Sequence, residues 1–312
     1  MTIQSFHLHC DGQPTLAMRV QRPAVSQADV LYVHGSTFGA DLSIFYALDG
    51  RSWADALTDA GFSAWGFDFA GYGGSDRYAD DCGRAAGRLE EALSQLRRAI
   101  RAVRERNGGR RVFLLGHSWG ATVAAACAAA CPEDVAALVL FAPVVVRGDP
   151  IRPAGAYVPA AVDAGPVQAH YPLTLWAQYR RFVEDVPRGQ PQVFSEAHFQ
   201  DWGSAFLATD SQAQSRMPPS VSTPAGPQRD VQALWSGQPL YDPSRIVAPT
   251  LLVRGEWDTV CDANDARSLL SALGGPVREG AVIERATHLM HLEAQRGQLY
   301  NVVNTFLNRS TQ

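Results

Sequence analysis

Val112-Phe113-Leu114-Leu115-Gly116-His117-Ser118-Trp119-Gly120 is the stretch on which the reading of this 312-residue chain turns. Four bulky apolar residues in a row suit a short strand buried on both faces. The run stops at Gly116, and the Ala-rich stretch 119–130 that follows has the composition of a helix. Strand, tight turn and helix form the setting in which G-x-S-x-G has a mechanical meaning. Such a turn strains the serine backbone and exposes its oxygen at the C-terminal end of the strand. Gly116 and Gly120 remove side chains where strand and helix come closest. The helix N-terminus behind Ser118 offers free N–H groups and a positive dipole end to a developing oxyanion.

A serine hydroxyl needs a base, and the base needs an orienting carboxylate. Asp258, in Gly255-Glu256-Trp257-Asp258, follows a predicted strand over 250–254, and His288 follows another over 281–284. Ser118, Asp258 and His288 then share the strand-end edge where open α/β sheets bind ligands. Glu256 and Asp262 are alternatives to Asp258. His291 is the alternative to His288 and reads as the start of the last helix. His34-Gly35-Ser36-Thr37 follows a predicted strand over 30–33. An N–H from this loop, at Ser36 or next at Thr37, would pair with that of Trp119 as an oxyanion hole. Losing one such donor typically costs about a hundredfold or more in rate.

The rest of the chain keeps an αβ rhythm. Residues 3–9 and 15–21 read as a hairpin, 52–60 as a helix and 62–67 as a buried strand. Leu89, Leu93, Leu96, Ile100 and Val103 recur at helical spacing, and 135–141 is a further strand. A helix over 262–273 and another over 293–308 close the pattern. Alternation of this kind predicts a parallel sheet covered on both faces. From 143 to 247 the character changes to a Pro-, Gln- and aromatic-rich stretch with Tyr157, Tyr171, Trp176, Tyr179, Trp202 and Trp235. That is too long for a connecting loop. Within it, 171–186 reads as a helix and 217–229, with four prolines, as irregular. The expected division is a core of 1–143 and 248–312 with a cap over 144–247.

Composition narrows the chemistry. Net charge is −4, so there is no basic field for nucleic acid or an anionic membrane. All 27 basic residues are Arg, which removes Schiff-base and P-loop lysine chemistry. The five cysteines form no CxxC pair and read as free thiols of a reducing compartment. With no signal peptide and no long apolar run, the expectation is a cytoplasmic protein with a small-molecule substrate. No cofactor or metal is expected; His7 and His9 share a strand face, but an edge strand accounts for them.

Together, His34-Gly35, the Asp68-Phe69-Ala70-Gly71-Tyr72-Gly73-Gly74-Ser75 turn, the Ser118 turn, Gly255-Glu256-Trp257-Asp258, and His288 with Glu293 resemble the α/β-hydrolase superfamily over nearly the full length. The resemblance implies an eight-stranded, mostly parallel sheet with a helical cap inserted after strand six. It departs at Thr287 and Ala121, where relatives often have Gly. It implies a serine hydrolase of a carboxylic ester or thioester. Ser118 speaks against dehalogenases and epoxide hydrolases, which carry Asp at that turn. Prolyl iminopeptidases share Ser-Trp-Gly and bind an amino terminus with cap carboxylates, for which Glu184, Asp185 and Glu196 would be counterparts. An acyltransferase or lyase, or a receptor that does not turn over, would keep the same three residues.

Overall fold

The apolar runs of the sequence become strands, and the amphipathic stretches between them become helices. The computed structural model describes residues 2–80, 82–147 and 168–311. It opens with the hairpin β1 (Gln4–Cys10) and β2 (Gln13–Gln21), then β3 (Ala28–Val33), α1 (Trp53–Asp59) and β4 (Phe62–Phe67). α2 (Leu89–Arg106), β5 (Val112–His117), α3 (Trp119–Ala130) and β6 (Val135–Phe141) follow. Between β6 and the next strand of the main sheet lie β7 (His170–Thr174), α4 (Leu175–Val183), α5 (Glu196–Ala208), β8 (Ser220–Pro224) and α6 (Gly226–Trp235). The chain then returns with β9 (Thr250–Gly255), α7 (Ala263–Ala272), β10 (Arg278–Ile283) and α8 (Arg296–Arg309).

The main sheet has eight strands in the order β1-β2-β4-β3-β5-β6-β9-β10. Only β1 and β2 run antiparallel to their neighbours. From β4 to β10 the pairing is parallel throughout. Side chains alternate across the sheet with period two. Leu31, Val33, Leu114, Leu138 and Leu140 join the core under α2 and α3, whereas Val30, Tyr32, Phe113, Leu115 and Val139 join the one under α1 and α8. α2 buries Leu96, Ala99, Ile100 and Val103 and places Glu90 and Glu91 in its first turn and Arg104 and Arg106 in its last, complementing the helix dipole. α3 is buried all round, which its alanines allow. A third core, built on Phe182, Phe199, Trp202 and Phe206, reaches down to Phe38 and Leu292.

Two expectations inside the inserted segment fail. Residues 171–174 belong to strand β7, not a helix; Pro172 is unsuited to a helix interior, and the helix starts only where the Thr174 hydroxyl caps the Ala177 N–H. The stretch 217–229 is irregular only as far as 219: from Ser220 on β8 pairs with β7, and Pro227 sits in the first turn of α6, where its missing N–H is harmless. The Tyr157 assignment lies outside the described residues.

The turn between β5 and α3 leaves no room for side chains. A Cβ on Gly116 would meet Ala121 Cα at 2.6 Å, and one on Gly120 would lie 2.2 and 2.4 Å from the His34 and Val33 carbonyl oxygens. Because these are backbone atoms, the strain cannot be relieved by a rotamer change. Gly120→Ala should therefore cost about 3 kcal/mol or more, read as a large drop in thermal midpoint or loss of soluble protein. A variant that melts like the wild type would contradict this packing.

Candidate active site

Ser118 occupies the turn with φ 55° and ψ −123°, a left-handed conformation that non-glycine residues rarely adopt. It stands at the N-cap of α3, yet its side chain makes no capping bond. The oxygen instead meets His288: Oγ and Nε2 are 2.9 Å apart. His288 Nδ1 lies 3.2 Å from each Asp258 oxygen, and the Asp258 side chain is fully buried. Asp258 and His288 sit in the loops after β9 and β10, so the three predicted residues converge from separate strand ends. Asp258 Oδ1 also accepts from the amides of Val260 and Cys261 at 2.9 and 3.1 Å. Burial raises the Asp258 pKa, but the charge and hydrogen bond of His288 and the Cys261 amide outweigh it, so the net shift is downward.

The alternatives find other work. Glu256 accepts from the Arg285 amide, and Asp262 forms the capping box of α7. His291 does not open the last helix. It lies in a short 3₁₀ turn, Met290–Leu292, packed against His117 and Phe141. Burial, with the nearby His288, lowers its pKa to about 3, so it stays neutral.

The loop after β3 is held by its own histidine. Burial, against the opposing pull of Asp68, lowers the His34 pKa. The neutral ring accepts the Phe69 N–H at Nε2 (2.9 Å), which leaves Nδ1–H to donate to the Gly35 carbonyl at 2.7 Å. In a trans peptide that carbonyl and the Ser36 N–H point opposite ways, so His34 aims the Ser36 amide. The Tyr72 hydroxyl holds the next peptide through the Ser36 carbonyl at 2.7 Å. Gly35, Ser36 and Thr37 line the same cavity as Ser118. The Trp119 amide, at the first position of α3, has no intrahelical acceptor. Its indole donates to Asp230 of α6 at 3.1 Å.

The cavity measures about 90 Å³. Its floor includes Ser118, His117, His288 and Phe38, and its other wall comes from the inserted segment: Tyr171, Leu173, Ala177, Gln178 and Arg181 from β7 and α4, and Gln228, Val231 and Trp235 from α6. Trp202 packs inside the third core instead, and Trp176 is exposed. Among the described residues no Asp or Glu faces the cavity. Glu184 and Asp185 are bound by Arg181, Asp185 also accepts the Thr259 hydroxyl at 2.6 Å, and Glu196 is exposed. His7 and His9 stand at the β1 edge with ring centroids 6.2 Å apart, and no third ligand group joins them among the described residues.

The model of the Alpha/beta hydrolase family matches residues 30–300. The chain belongs to that family. A comparison with curated proteins finds no match. Solved structures similar to this hydrolase include a bacterial membrane phospholipase A described as a virulence factor (TM-score 0.67, 19% identity, 99% of this chain and 86% of that one). The thioesterase domain from the curacin biosynthetic pathway (0.64, 15%, 97% and 99%) and an esterase from Exiguobacterium antarcticum (0.65, 18%, 98% and 100%) are similar too. At these identities the likeness speaks for the fold. No described helix of the hydrolase is long and apolar enough to cross a membrane.

One group near the site, Asp230, escaped the sequence reading, and a second, Glu293, was named there only through the family resemblance, without a role. Asp230 is fully buried and also receives Arg88 and the Leu89 amide, 2.8 Å away. It lies 111 residues from Trp119, so nothing local announces it. Glu293, likewise buried, binds both the amide (2.9 Å) and the hydroxyl of Thr287, bracing the loop that carries His288. The signal was the departure at Thr287, because a glycine there could supply no hydroxyl.

Burial raises the Glu293 pKa from 4.5 to about 7, against the Thr287 hydrogen bonds. A carboxyl with a raised folded pKa keeps a proton that the unfolded chain has released. Its contribution to stability is full below the unfolded pKa and is lost as pH rises through about 7. Glu293→Gln removes that loss. The stability of the variant minus that of the wild type should rise between pH 5 and 8, by at most on the order of 3 kcal/mol. Parallel melting curves across this range would refute it.

Proposed function

We propose that this hydrolase cleaves a small carboxylic ester or thioester through an acyl-enzyme on Ser118, within a cytoplasmic setting that its free cysteines suit. The observation that carries the reading is the unbroken contact from Ser118 Oγ through His288 to Asp258 at a cavity floor. Ser118 Oγ attacks the acyl carbon while His288 Nε2 takes its proton. Asp258 holds the imidazole with Nδ1–H toward itself and stabilises the imidazolium. The Ser36 and Trp119 amides receive the oxyanion. Collapse expels the alcohol or thiol, which leaves with the proton from His288. Water, deprotonated by His288, then releases the acid and restores the serine.

The segment 144–247 serves as the cap that bounds the acyl pocket. A free amino terminus would find no carboxylate on the described cavity wall, which disfavours an iminopeptidase-like activity. A cavity of about 90 Å³, against roughly 300–1,000 Å³ for drug-sized ligands, suits short acyl groups.

A fluorophosphonate should add one label, at Ser118, and turnover of p-nitrophenyl esters should peak at short acyl chains. Ser118→Ala should remove the label and lower kcat by at least about 10³-fold without changing the thermal midpoint by more than a few degrees. Full activity in that variant would refute the assignment. Labelling with a single turnover and no release would indicate a receptor. Capture of the acyl group by an added alcohol in preference to water would indicate a transferase.

A further inference from the structure

Gln178, on α4, lines the cavity that holds Ser118. It is fully buried, and neither its Oε1 nor its Nε2 has a hydrogen-bond partner among the described residues. A buried amide with both ends unsatisfied is rare and destabilising, so its retention calls for a ligand. Leu173, Ala177, Val231 and Trp235 bring mainly apolar surface to the same wall, and its other polar residues, Tyr171 and Gln228 among them, are not hydrogen-bonded to Gln178. Arg181, one turn further along α4, is held by Glu184 and Asp185.

We propose that Gln178 is a specificity-determining residue that reads a carboxamide on the acyl group of the ester: a C=O and an N–H side by side, as in a primary amide, lactam or imide. This deepens the ester-hydrolase reading and rests on it. Such a group satisfies both ends of Gln178 in one cyclic pair. Nε2–H donates to the ligand carbonyl, and the ligand N–H donates to Oε1. A carboxylate would bring only acceptors, setting an anion against Oε1. A hydroxyl would bring one oxygen to two sites. The small cavity limits the carboxamide to a short spacer from the scissile carbonyl.

The test uses two pairs of benzyl esters that differ only in CONH₂ against CH(CH₃)₂: glutaramate with 5-methylhexanoate, and succinamate with 4-methylpentanoate. Benzyl alcohol release is followed by chromatography. The wild type should favour the carboxamide in kcat/KM by about a hundredfold in at least one pair, since a site built for hydrogen bonds rejects an apolar isostere. Gln178→Met should collapse that ratio by about the same factor while its thermal midpoint holds or rises, because an unsatisfied amide is removed. Gln178→Glu, which loses the donor, should also lose the preference and serves if the first variant folds poorly. A purely structural Gln178 would instead lower the midpoint of Gln178→Met and leave the ratio alone, overturning the inference. A wild type that is labelled at Ser118 but prefers the apolar ester in both pairs overturns this inference alone. A wild type that is neither labelled nor active overturns the hydrolase reading and this inference with it.

Discussion

No side chain fits between residue 120 and the carbonyls at the end of β3. That exclusion brings the first turn of α3 into contact with the loop that begins at His34. It sets the Ser36 loop against the turn that carries Ser118, and both line one small cavity. It also leaves Ser118 no relaxed backbone: the residue is held at positive φ with its oxygen turned toward His288 and not toward its own helix. The surrounding bonds hold this arrangement in place. His34 and Tyr72 fix the peptides on either side of Ser36, and Asp230 takes the Trp119 indole.

The sheet was legible because its strands carry their own evidence. Val112 to Leu115 and the run at 135–141 are continuous apolar segments, and a strand buried on both faces needs nothing else. The same holds for Ser118, Asp258 and His288, each placed by a strand end that could be read locally. The inserted segment resisted. Its strands, β7 and β8, are five residues each, pair only with one another and contain prolines, so no period of two could develop. Contacts between remote residues were also out of reach. Asp230 carries no local signal until the fold sets it beside Trp119 and the start of α2.

Thr287 shows how a departure from a family pattern carries information. Relatives often place glycine before the histidine. Here the hydroxyl and amide of Thr287 hold a buried acid, and that acid steadies the loop bearing His288. The arrangement puts a titratable group behind His288 while keeping it out of the cavity.

Asp230 gives the two halves of the cavity wall different mechanical characters. Lifting α6 would strip a buried carboxylate of the Arg88 guanidinium, the Leu89 amide and the Trp119 indole together. The wall formed by Gln228, Val231 and Trp235 therefore behaves as foundation, travelling with the sheet. α4 continues directly from β7, which pairs with β8, and the Asp185–Thr259 hydrogen bond just past its end ties it to the Asp258 loop. A molecule held in the cavity thus lies between a wall anchored to three groups through one buried carboxylate and a wall joined to the loop that carries Asp258.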